Sequence, residues 1–429
     1  MKLLLKGGRI IDPSQNIYEE MDILIENGKI ARIGKYLNRE EKTGAGLRIL
    51  DLEDRIVAPG LVDMHTHLRE PGFEYKETIQ SGCEAAVAGG FTSIACMANT
   101  NPINDNRSVT EFICRQARQC SLANVYPVAA VSRGSEGITL TEFGDLKDAG
   151  AVAFSDDGVP VMNSGLMRRA LEYACSIGVP IISHCEDTGL SAGGVMNEGI
   201  ISTKLGLQGV PAVAEDIMAA RDIAIADFTN TAVHIAHVST AGSVKLVREA
   251  KRRGIRVTAE TAPHYFSLTD DALREYDTRA KVNPPLRSIE DVSAIKEGLY
   301  DGTIDAIACD HAPHSSMEKD VEFEYASFGI AGLETSLSLS LKLVTDGILS
   351  LDQLILKMSA NPAVILGIPK GTLRIGSDAD ITIIDTKKKW RVDINKFRSK
   401  SKNSPFNNWE LEGKAAFTIV GGEIKYSAD

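Results

Sequence analysis

The sequence predicts an α/β protein built around a (β/α)₈ barrel. Apolar, strand-like runs alternate with helix-like patterns over about 250 residues, which is typical of a parallel sheet covered by helices. Eight such runs can be counted, the number that a closed barrel needs. A doubly wound open sheet is the alternative, but no G-x-G-x-x-G motif follows an early strand.

The predicted elements follow one another in a regular order. Before the barrel, short strands are predicted at 2–6, 23–26 and 29–33, and Asn27-Gly28 is a strong hairpin signal. The barrel strands are predicted at 61–64, 92–97, 125–131, 152–154, 180–183, 232–236, 256–260 and 304–308. Helices are predicted at 77–88, 166–177, 212–226, 243–253 and 289–299. After the barrel, the sequence indicates strands at 381–384 and 416–420, a Gly421-Gly422 turn and a polar loop at 397–408.

The change from short strands with turns to alternating strands and helices gives the expected domain boundaries. The barrel occupies residues 58–366, and two strand-rich segments, 1–57 and 367–429, flank it.

Composition and charge narrow the class of protein. Of 429 residues, 43% are hydrophobic and 24% charged, as in an ordinary soluble globular protein. A net charge of -11 repels a phosphate backbone and argues against nucleic-acid binding. No apolar run approaches the ~18 residues of a membrane span, and the first residues lack a signal-peptide core. We therefore expect a cytoplasmic protein without membrane attachment. Seven cysteines with no C-x-x-C pair argue against a disulfide framework.

Polar side chains collect where the predicted barrel strands end. In a barrel these ends meet at one mouth, where active sites are built. Imidazole and carboxylate groups without thiolate suit Zn²⁺, although Mn²⁺ and Co²⁺ also fit. The residues at the strand ends are His65, His67, Asn99, Asp156, Asp157, His184, His237, Glu260, His264, Asp310 and His311.

The alternation of side chains along a strand selects among these residues. His65 and His67 are two apart, so both face the same side and can bind one cation. Asp156 and Asp157 face opposite sides, and spacing alone does not choose between them. His237 is nearer its strand end than His234 and is the better ligand. We expect His234 and His264 to be structural.

Other polar residues near the mouth suggest catalysis and substrate binding. Asp310 beside a metal-activated water can take its proton and return it to a leaving nitrogen. Arg69 can bind a substrate carboxylate through two hydrogen bonds, and Asn99 can add a donor. His314 leads into the polar segment 315–327, which is placed to act as a lid.

Two motifs then point to a family. The segment Asp63-Met64-His65-Thr66-His67-Leu68-Arg69-Glu70-Pro71-Gly72 resembles the first signature of dihydroorotases. Asp310-His311-Ala312-Pro313-His314, with Lys319 five residues on, resembles the second. Further similar segments lie at 97–100, 154–158, 184–186, 193–199, 236–239, 282–286 and 401–406. The resemblance covers nearly the whole chain and is closest to the longer, type I members of the amidohydrolase superfamily.

The resemblance implies a fold and a reaction. The barrel would carry a small β-sandwich domain formed from the N- and C-terminal segments. The enzyme would interconvert N-carbamoyl-L-aspartate and L-dihydroorotate plus water, a step of de novo pyrimidine (UMP) biosynthesis. A metal-activated hydroxide would attack the ring, with one or two zinc ions per subunit. The resemblance also implies a homodimer and a possible association with aspartate carbamoyltransferase.

The resemblance also implies roles for individual residues. His65 and His67 would bind the first metal, Asp157 would bridge, and His184 and His237 would bind the second. Asp310 would be both a ligand and the catalytic acid/base. The residues implied to contact the substrate are His67, Arg69, Asn99, Asn283, His314, Phe328 and Gly329.

Two departures from the family pattern bear on these roles. Cys309 stands where Ser or Thr is usual, a change of similar size. Many relatives bridge their metals with a carboxylated lysine at the end of strand four, where this chain has Asp157. The two metal positions are therefore expected to differ in strength.

Two alternatives remain. The first is another cyclic amidase: a hydantoinase, a dihydropyrimidinase or an allantoinase. Hydantoinases and dihydropyrimidinases rely on the strand-four lysine, which is absent here. The second is a non-catalytic, dihydroorotase-like partner of aspartate carbamoyltransferase. Such chains have lost metal ligands, whereas every ligand position is filled here.

Overall fold

The computed structural model describes residues 2–37 and 46–428. In chain order its strands are β1 (Lys2–Ile10), β2 (Glu20–Glu26), β3 (Lys29–Gly34), β4 (Leu47–Asp51), β5 (Ile56–Pro59), β6 (Leu61–Thr66), β7 (Phe91–Cys96), β8 (Asn124–Ala129), β9 (Ala153–Phe154), β10 (Ile182–Ser183), β11 (Met196–Asn197), β12 (Gly209–Val210), β13 (Val233–Ile235), β14 (Val257–Thr261), β15 (Ala306–Ile307), β16 (Ile381–Arg391), β17 (Glu410–Val420) and β18 (Glu423–Ser427). The α-helices are Ile79–Gly89, Arg107–Cys120, Phe143–Ala149, Ser164–Ile177, Thr188–Ser191, Ile200–Leu205, Val213–Thr229, Ala241–Arg252, Pro263–Ser267, Ile289–Tyr300, Ser316–Lys319, Leu333–Thr345, Leu351–Ile355 and Asn361–Leu366.

Eight parallel strands form the predicted barrel. They make two four-stranded sheets, β6-β7-β8-β9 and β10-β13-β14-β15. Phe154 bridges to Ile181 at one seam, and Thr66 bridges to His311 at the other. At the second seam the His67 amide donates to the His311 carbonyl oxygen at 2.8 Å. The ring is therefore closed, and the predicted barrel is confirmed.

Helices cover the barrel strands. The five predicted helices are present, and several begin at a side-chain cap: the Thr78 hydroxyl accepts from Ser81 N, and that of Thr240 from Ser243 N. Of the described helices outside the predicted set, those with seven or more residues are Arg107–Cys120, Phe143–Ala149 and Leu333–Thr345. In the last of these, leucine and serine alternate with the period of a strand.

The two ends of the chain build one mixed sheet in the order β18-β17-β16-β5-β1-β2-β3, with β4 beside β1. β5 and β16 pair antiparallel and so join the N-terminal and C-terminal segments. The predicted hairpin at Asn27-Gly28 is present, with left-handed φ of 50° and 76°. A Cβ on Gly28 would lie 2.8 Å from the Gly421 carbonyl oxygen.

This contact shows that the sheet folds onto itself. Its two layers enclose one apolar core, in agreement with the expected sandwich. The core includes Leu3, Leu5, Ile10, Ile23, Ile25, Ile30, Val57, Ile381, Ile383 and Ile419.

The predicted loop at 397–408 has little regular structure, but part of it is buried against the barrel mouth. The Asn403 amide donates to the carbonyl oxygens of Ala312 and Gly329, both at 3.0 Å. Its oxygen accepts from the His314 backbone N–H at 3.2 Å. This C-terminal segment therefore positions two stretches that carry predicted site residues.

Among residues 2–37 and 46–428, no helix has both the length and the apolar character needed to cross a bilayer.

Candidate metal and substrate site

Four histidines and two aspartates converge at the mouth of the barrel. His65 lies at the end of β6, and His67 follows that strand. The other four lie one to three residues after β9, β10, β13 and β15, where the strands give way to loops. All six are buried: His65, His67, Asp157, His184, His237 and Asp310.

The six side chains form two groups that share Asp157. In the first group, His67 Nε2 lies 3.0 Å from Asp310 Oδ1, and His65 Nε2 lies 3.6 Å from the same oxygen. His65 Nε2 is also 3.4 Å from Asp157 Oδ1. In the second group, His184 Nδ1 and His237 Nε2 are 2.8 Å apart and lie 3.7 and 3.4 Å from Asp157 Oδ1.

These distances fit a divalent cation. Ligand atoms that bind one zinc ion at ~2.0–2.1 Å lie roughly 3.3 Å apart in a tetrahedral site. Within the described residues, His65 Nε2 and Asp157 Oδ1 are buried and make no hydrogen bond. Buried polar atoms without a partner are costly, and a bound cation would remove that cost. The donor set of imidazole and carboxylate suits zinc.

The opposite ring nitrogen of three of these histidines meets an oxygen atom. Nδ1 of His65 lies 2.7 Å from Glu260 Oε1, and Nδ1 of His67 lies 2.9 Å from Asn99 Oδ1. Nε2 of His184 lies 2.8 Å from Glu186 Oε2. Each contact leaves the other nitrogen free to face the cluster.

The structure shows which of the adjacent aspartates faces the mouth. Asp157 lies among the histidines, whereas Asp156 accepts from the backbone N–H groups of Val131 and Ser132, at 2.8 and 3.1 Å. His234 lies outside the cluster, with Nδ1 2.8 Å from Thr258 Oγ1. His264 is buried near the mouth, and burial lowers its pKa to about 4.

The charges in and beside the cluster determine the pKa values of its carboxyl groups. Burial raises the pKa of Asp310, but hydrogen bonding to His67 and the neighbouring histidine charges outweigh it and lower that pKa well below its usual range. Burial likewise raises the pKa of Glu260, but His65 and His234 bring it down to about 2. Both carboxylates are therefore ionised at neutral pH.

A cavity of about 320 Å³ opens onto this cluster. Every predicted site residue except His65 lines it: His67, Arg69, Asn99, Asp157, His184, His237, Asn283, Asp310, His314, Phe328 and Gly329. His65 is fully buried. The structure thus brings the predicted ligands and the predicted substrate contacts together.

One side of the cavity is electropositive. An Arg69 Nη atom lies 3.2 Å from His314 Nε2, and Lys76 Nζ lies 3.5 Å from His314 Nδ1. Burial and the charges of Arg69, Lys76 and Lys319 lower the His314 pKa to about 2. His314 is therefore neutral, and the positive charge that faces the cavity is on Arg69, because Lys76 pairs with Glu318 at 2.7 Å. Such a surface suits a carboxylate.

The segment 315–327 lies against the mouth and contains the short helix Ser316–Lys319. The buried Lys319 ammonium donates to the carbonyl oxygens of Ser327 and Gly329, at 2.7 and 3.1 Å. Lys281 Nζ lies 4.5 Å from the centre of the Phe328 ring. These contacts fix the position of the residues next to the cavity.

Three site residues have left-handed backbones that are rare for side chains of their size. The φ angles are 63° at Arg69, 31° at His237 and 46° at Asp310. Such strain persists where the surrounding structure enforces it, and it is common at functional sites. Here it occurs where strands turn into loops.

The sequence predicts the residues of the metal cluster, but it does not predict which residues contact the outward-facing ring nitrogens of the histidines. From the sequence, Glu260 is identified only as a residue at a strand end, and Glu186 only as part of the motif at 184–186. Asn99, expected to contact substrate, also contacts His67. The spacing of Glu186 could have predicted its contact, because it lies two residues after His184 and can face the same side of an extended chain.

Comparisons with known proteins identify the family of the chain. The family model "Dihydro-orotase-like" matches residues 54–243. A dihydroorotase of Syntrophus aciditrophicus (strain SB) is 63% identical over 429 residues, covering 100% of both chains. One of Geobacter metallireducens is 59% identical over 426 residues, covering 99% of this chain and 100% of the relative.

Solved structures show the same fold. The L-hydantoinase (dihydropyrimidinase) from Arthrobacter aurescens superposes with a TM-score of 0.86 at 28% identity, covering 98% of this chain and 95% of its own. Dihydropyrimidinase from Brevibacillus agri NCHU1002 gives 0.85 at 22% identity, covering 99% and 95%, a likeness of fold alone. Because its curated relatives match at 56–63% identity over essentially the full length, the chain belongs to the dihydroorotase family.

Proposed function

We propose that the chain is a metal-dependent dihydroorotase that interconverts N-carbamoyl-L-aspartate and L-dihydroorotate plus water. One observation supports this most directly. A single cavity of about 320 Å³ joins a histidine–carboxylate cluster to an electropositive wall. A cyclic amide that carries a carboxylate matches both ends, because its ring carbonyl can face the cluster while its carboxylate meets Arg69.

The proposed metal ligands are the two groups that share Asp157. His65, His67, Asp157 and Asp310 make the first group, and Asp157, His184 and His237 make the second. A divalent cation there would supply Lewis acidity, which makes water nucleophilic near neutral pH and polarises a carbonyl. We propose zinc. The first group has one more ligand, so we expect it to retain its ion more strongly.

Asp310 is the proposed general acid/base. Its carboxylate is ionised and faces the cavity, so it can accept the proton of the attacking water. It then delivers that proton to the ring nitrogen as the amide bond breaks. In the biosynthetic direction the steps reverse, and the electrophile is a protonated side-chain carboxyl group. Acid pH should therefore favour cyclisation, and alkaline pH should favour hydrolysis.

The remaining cavity residues orient the substrate in this proposal. Arg69, Asn99 and His314 bind its carboxylate, with His314 as a neutral partner. Asn283 donates to Glu186 Oε2 at 2.9 Å. This proposed substrate contact therefore also holds the carboxylate that contacts His184. Phe328 and Gly329 also line the cavity, and Gly329 lies beside His314. Positioning of this kind lowers the entropic part of the barrier.

The proposal extends to the setting of the enzyme. We place the reaction in de novo pyrimidine synthesis in the cytoplasm. A homodimer and an association with aspartate carbamoyltransferase stay predictions. Size-exclusion chromatography with light scattering, with and without that transcarbamoylase, tests both.

The test of the reaction is hydrolysis of L-dihydroorotate, followed by its ultraviolet absorbance, with zinc quantified in the same sample. We expect turnover that a chelator abolishes and zinc restores. Dihydrouracil, hydantoin and allantoin serve as competing substrates. Faster turnover of any of these would replace the proposal with that cyclic amidase. A zinc-loaded sample inactive on all four, with and without the transcarbamoylase, would contradict an enzymatic role.

A further inference from the structure

A chain of buried polar side chains lies beneath the metal cluster. His65 Nδ1 lies 2.7 Å from Glu260 Oε1, and the other oxygen of Glu260 lies 3.4 Å from His234 Nε2. His234 Nδ1 in turn lies 2.8 Å from Thr258 Oγ1. The side chains of His65, His234 and Glu260 are at most 1% exposed. The proposed reaction uses neither Glu260 nor His234 directly.

Strand register explains why these residues meet. His234 in β13 pairs with Thr258 in the parallel neighbour β14, so the two side chains lie side by side. Glu260 is two residues beyond Thr258 and therefore faces the same side, one layer nearer the mouth. From there its carboxylate contacts His65 on β6. Small apolar side chains such as Ala236, Ala306 and Ala308 pack in the same interior.

Hydrogen-bond chemistry assigns the proton of His65. A neutral imidazole has one N–H group, and an ionised carboxylate only accepts. When His65 is neutral, as a metal ligand must be, Nδ1 therefore donates to Glu260 at 2.7 Å, and Nε2 keeps the lone pair that faces the cluster. That nitrogen makes no hydrogen bond within the described residues and faces Asp157 and Asp310.

We propose that Glu260 is a positioning residue, which holds His65 in the tautomer and orientation that bind the metal. The proposal rests on the proposed metal centre. It also ranks the three histidine partners. Glu260 is charged and fully buried, whereas Asn99 is neutral and the Glu186 side chain is 16% exposed. We therefore expect the loss of Glu260 to weaken metal binding most.

The main experiment measures zinc affinity by competition with a chromogenic chelator, independently of turnover. Glu260→Leu removes the acceptor at similar volume, and Glu260→Gln keeps an acceptor oxygen but removes the charge. Loss of such a partner typically costs 10–100-fold in metal affinity. We expect about 100-fold weaker zinc binding for the leucine variant and about 10-fold for the glutamine variant. Cobalt-loaded protein should show a changed visible spectrum in both.

A matched control separates positioning from general damage. Asp12 is a fully buried carboxylate in the sandwich that accepts from Ser14 and Leu373, and it touches no proposed ligand. Asp12→Asn should lower the unfolding temperature and leave the zinc dissociation constant unchanged. If it weakens zinc binding as much as Glu260→Gln does, the effect at Glu260 is not specific, and the inference fails.

A second measurement needs no metal. Nitrogen-15 spectra of histidine-labelled, metal-free protein, recorded at a pH high enough for His65 to be neutral, should show its remaining proton on Nδ1, and Glu260→Gln should shift that signal. Wild-type protein with the proton on Nε2 would overturn the inference, as would wild-type zinc affinity in both Glu260 variants. Wild-type protein that shows the expected tautomer but does not bind zinc would instead overturn the proposed metal centre.

Discussion

The barrel mouth and the terminal sandwich differ in how many buried polar atoms lack a hydrogen bond: among the described residues the mouth has several, whereas the sandwich has Asp22 Oδ2. At the mouth, buried atoms such as His65 Nε2, Asp157 Oδ1 and His237 Nδ1 make no hydrogen bond within the described chain. In the sandwich, the interior is almost entirely aliphatic, and the buried Asp12 accepts from Ser14 N and Leu373 N at 2.9 and 2.8 Å.

This difference indicates that the mouth serves the chemistry, whereas the sandwich mainly contributes stability. Unpaired polar atoms and strained backbones cost free energy, and the mouth retains them because a cation and a substrate can use them. The sandwich has no such task and is packed for burial. Substitutions at the mouth should therefore change activity more than stability, and substitutions in the sandwich should do the reverse.

Asp310→Asn should have the largest effect. Loss of general acid/base catalysis typically costs 10²–10⁴-fold in rate, and here one group serves both proton transfers. Asparagine is isosteric, so we expect the unfolding temperature to stay within a few degrees. Turnover of L-dihydroorotate and thermal unfolding on the same sample make the measurement. Near-wild-type turnover would remove Asp310 from its proposed role.

Ile381→Ala tests the opposite region. Ile381 is fully buried in the sandwich core, and such truncations cost about 2–5 kcal/mol of unfolding free energy. We expect kcat per folded molecule to be unchanged, because the site lies in the barrel. Ile375→Ala is the control, since that side chain is 66% exposed. A large loss of kcat in folded Ile381→Ala protein would show that the two regions are coupled.

Arg69→Ala should mainly weaken substrate binding. A hydrogen bond to a charged group is worth about 1.5–3 kcal/mol, which corresponds to roughly a 10–100-fold rise in KM. Initial rates over a range of L-dihydroorotate concentrations measure it. Arg168→Ala removes an exposed arginine from a helix surface and should leave KM unchanged. An unchanged KM in Arg69→Ala would contradict the carboxylate contact.

Glu334→Gln should have the smallest effect, at the junction between barrel and C-terminal segment. Glu334 Oε1 accepts from the backbone N–H groups of Arg398 and Ser399 at 2.7 and 3.2 Å. Burial raises its pKa to about 7, so its favourable, protonated state is fully populated only below the unfolded pKa of about 4.5. That stability is lost as pH rises through about 7.

Glutamine keeps the accepting oxygen and has no proton to lose. We therefore expect the variant to be more stable than wild type by up to about 3 kcal/mol at pH 8.5, with the gap shrinking to about 1 kcal/mol at pH 5. Urea unfolding at both pH values measures the gap. A gap that is equal at the two pH values would show that Glu334 does not titrate in this range.

The sequence contains enough information for the barrel and for the residues that gather at its mouth. Eight apolar runs predict the strands, because strands buried on both faces carry little else. The helix Leu333–Thr345 escapes prediction because its Leu-Ser alternation has the period of a strand, and only tertiary packing decides. The choice between Asp156 and Asp157 depends on how the strand end turns, which spacing does not give.

The contacts behind the histidines are harder to predict. Glu260 and His65 are 195 residues apart and meet across the barrel interior. No local pattern links them, since their contact depends on which strands face each other. The burial of segment 397–408 has the same cause, because a polar composition normally indicates a loop in solvent.

The closure of the barrel between its first and last strands sets an order of events during synthesis. His67 and Asp310 are 243 residues apart in the chain. A ribosome that adds 5–20 residues per second needs roughly 12–50 seconds to make the second after the first. The nascent chain therefore carries His65 and His67 long before Asp310, the last of their proposed carboxylate partners, exists. We expect tight metal loading to be a late step, which follows release of most of the chain and completes its maturation.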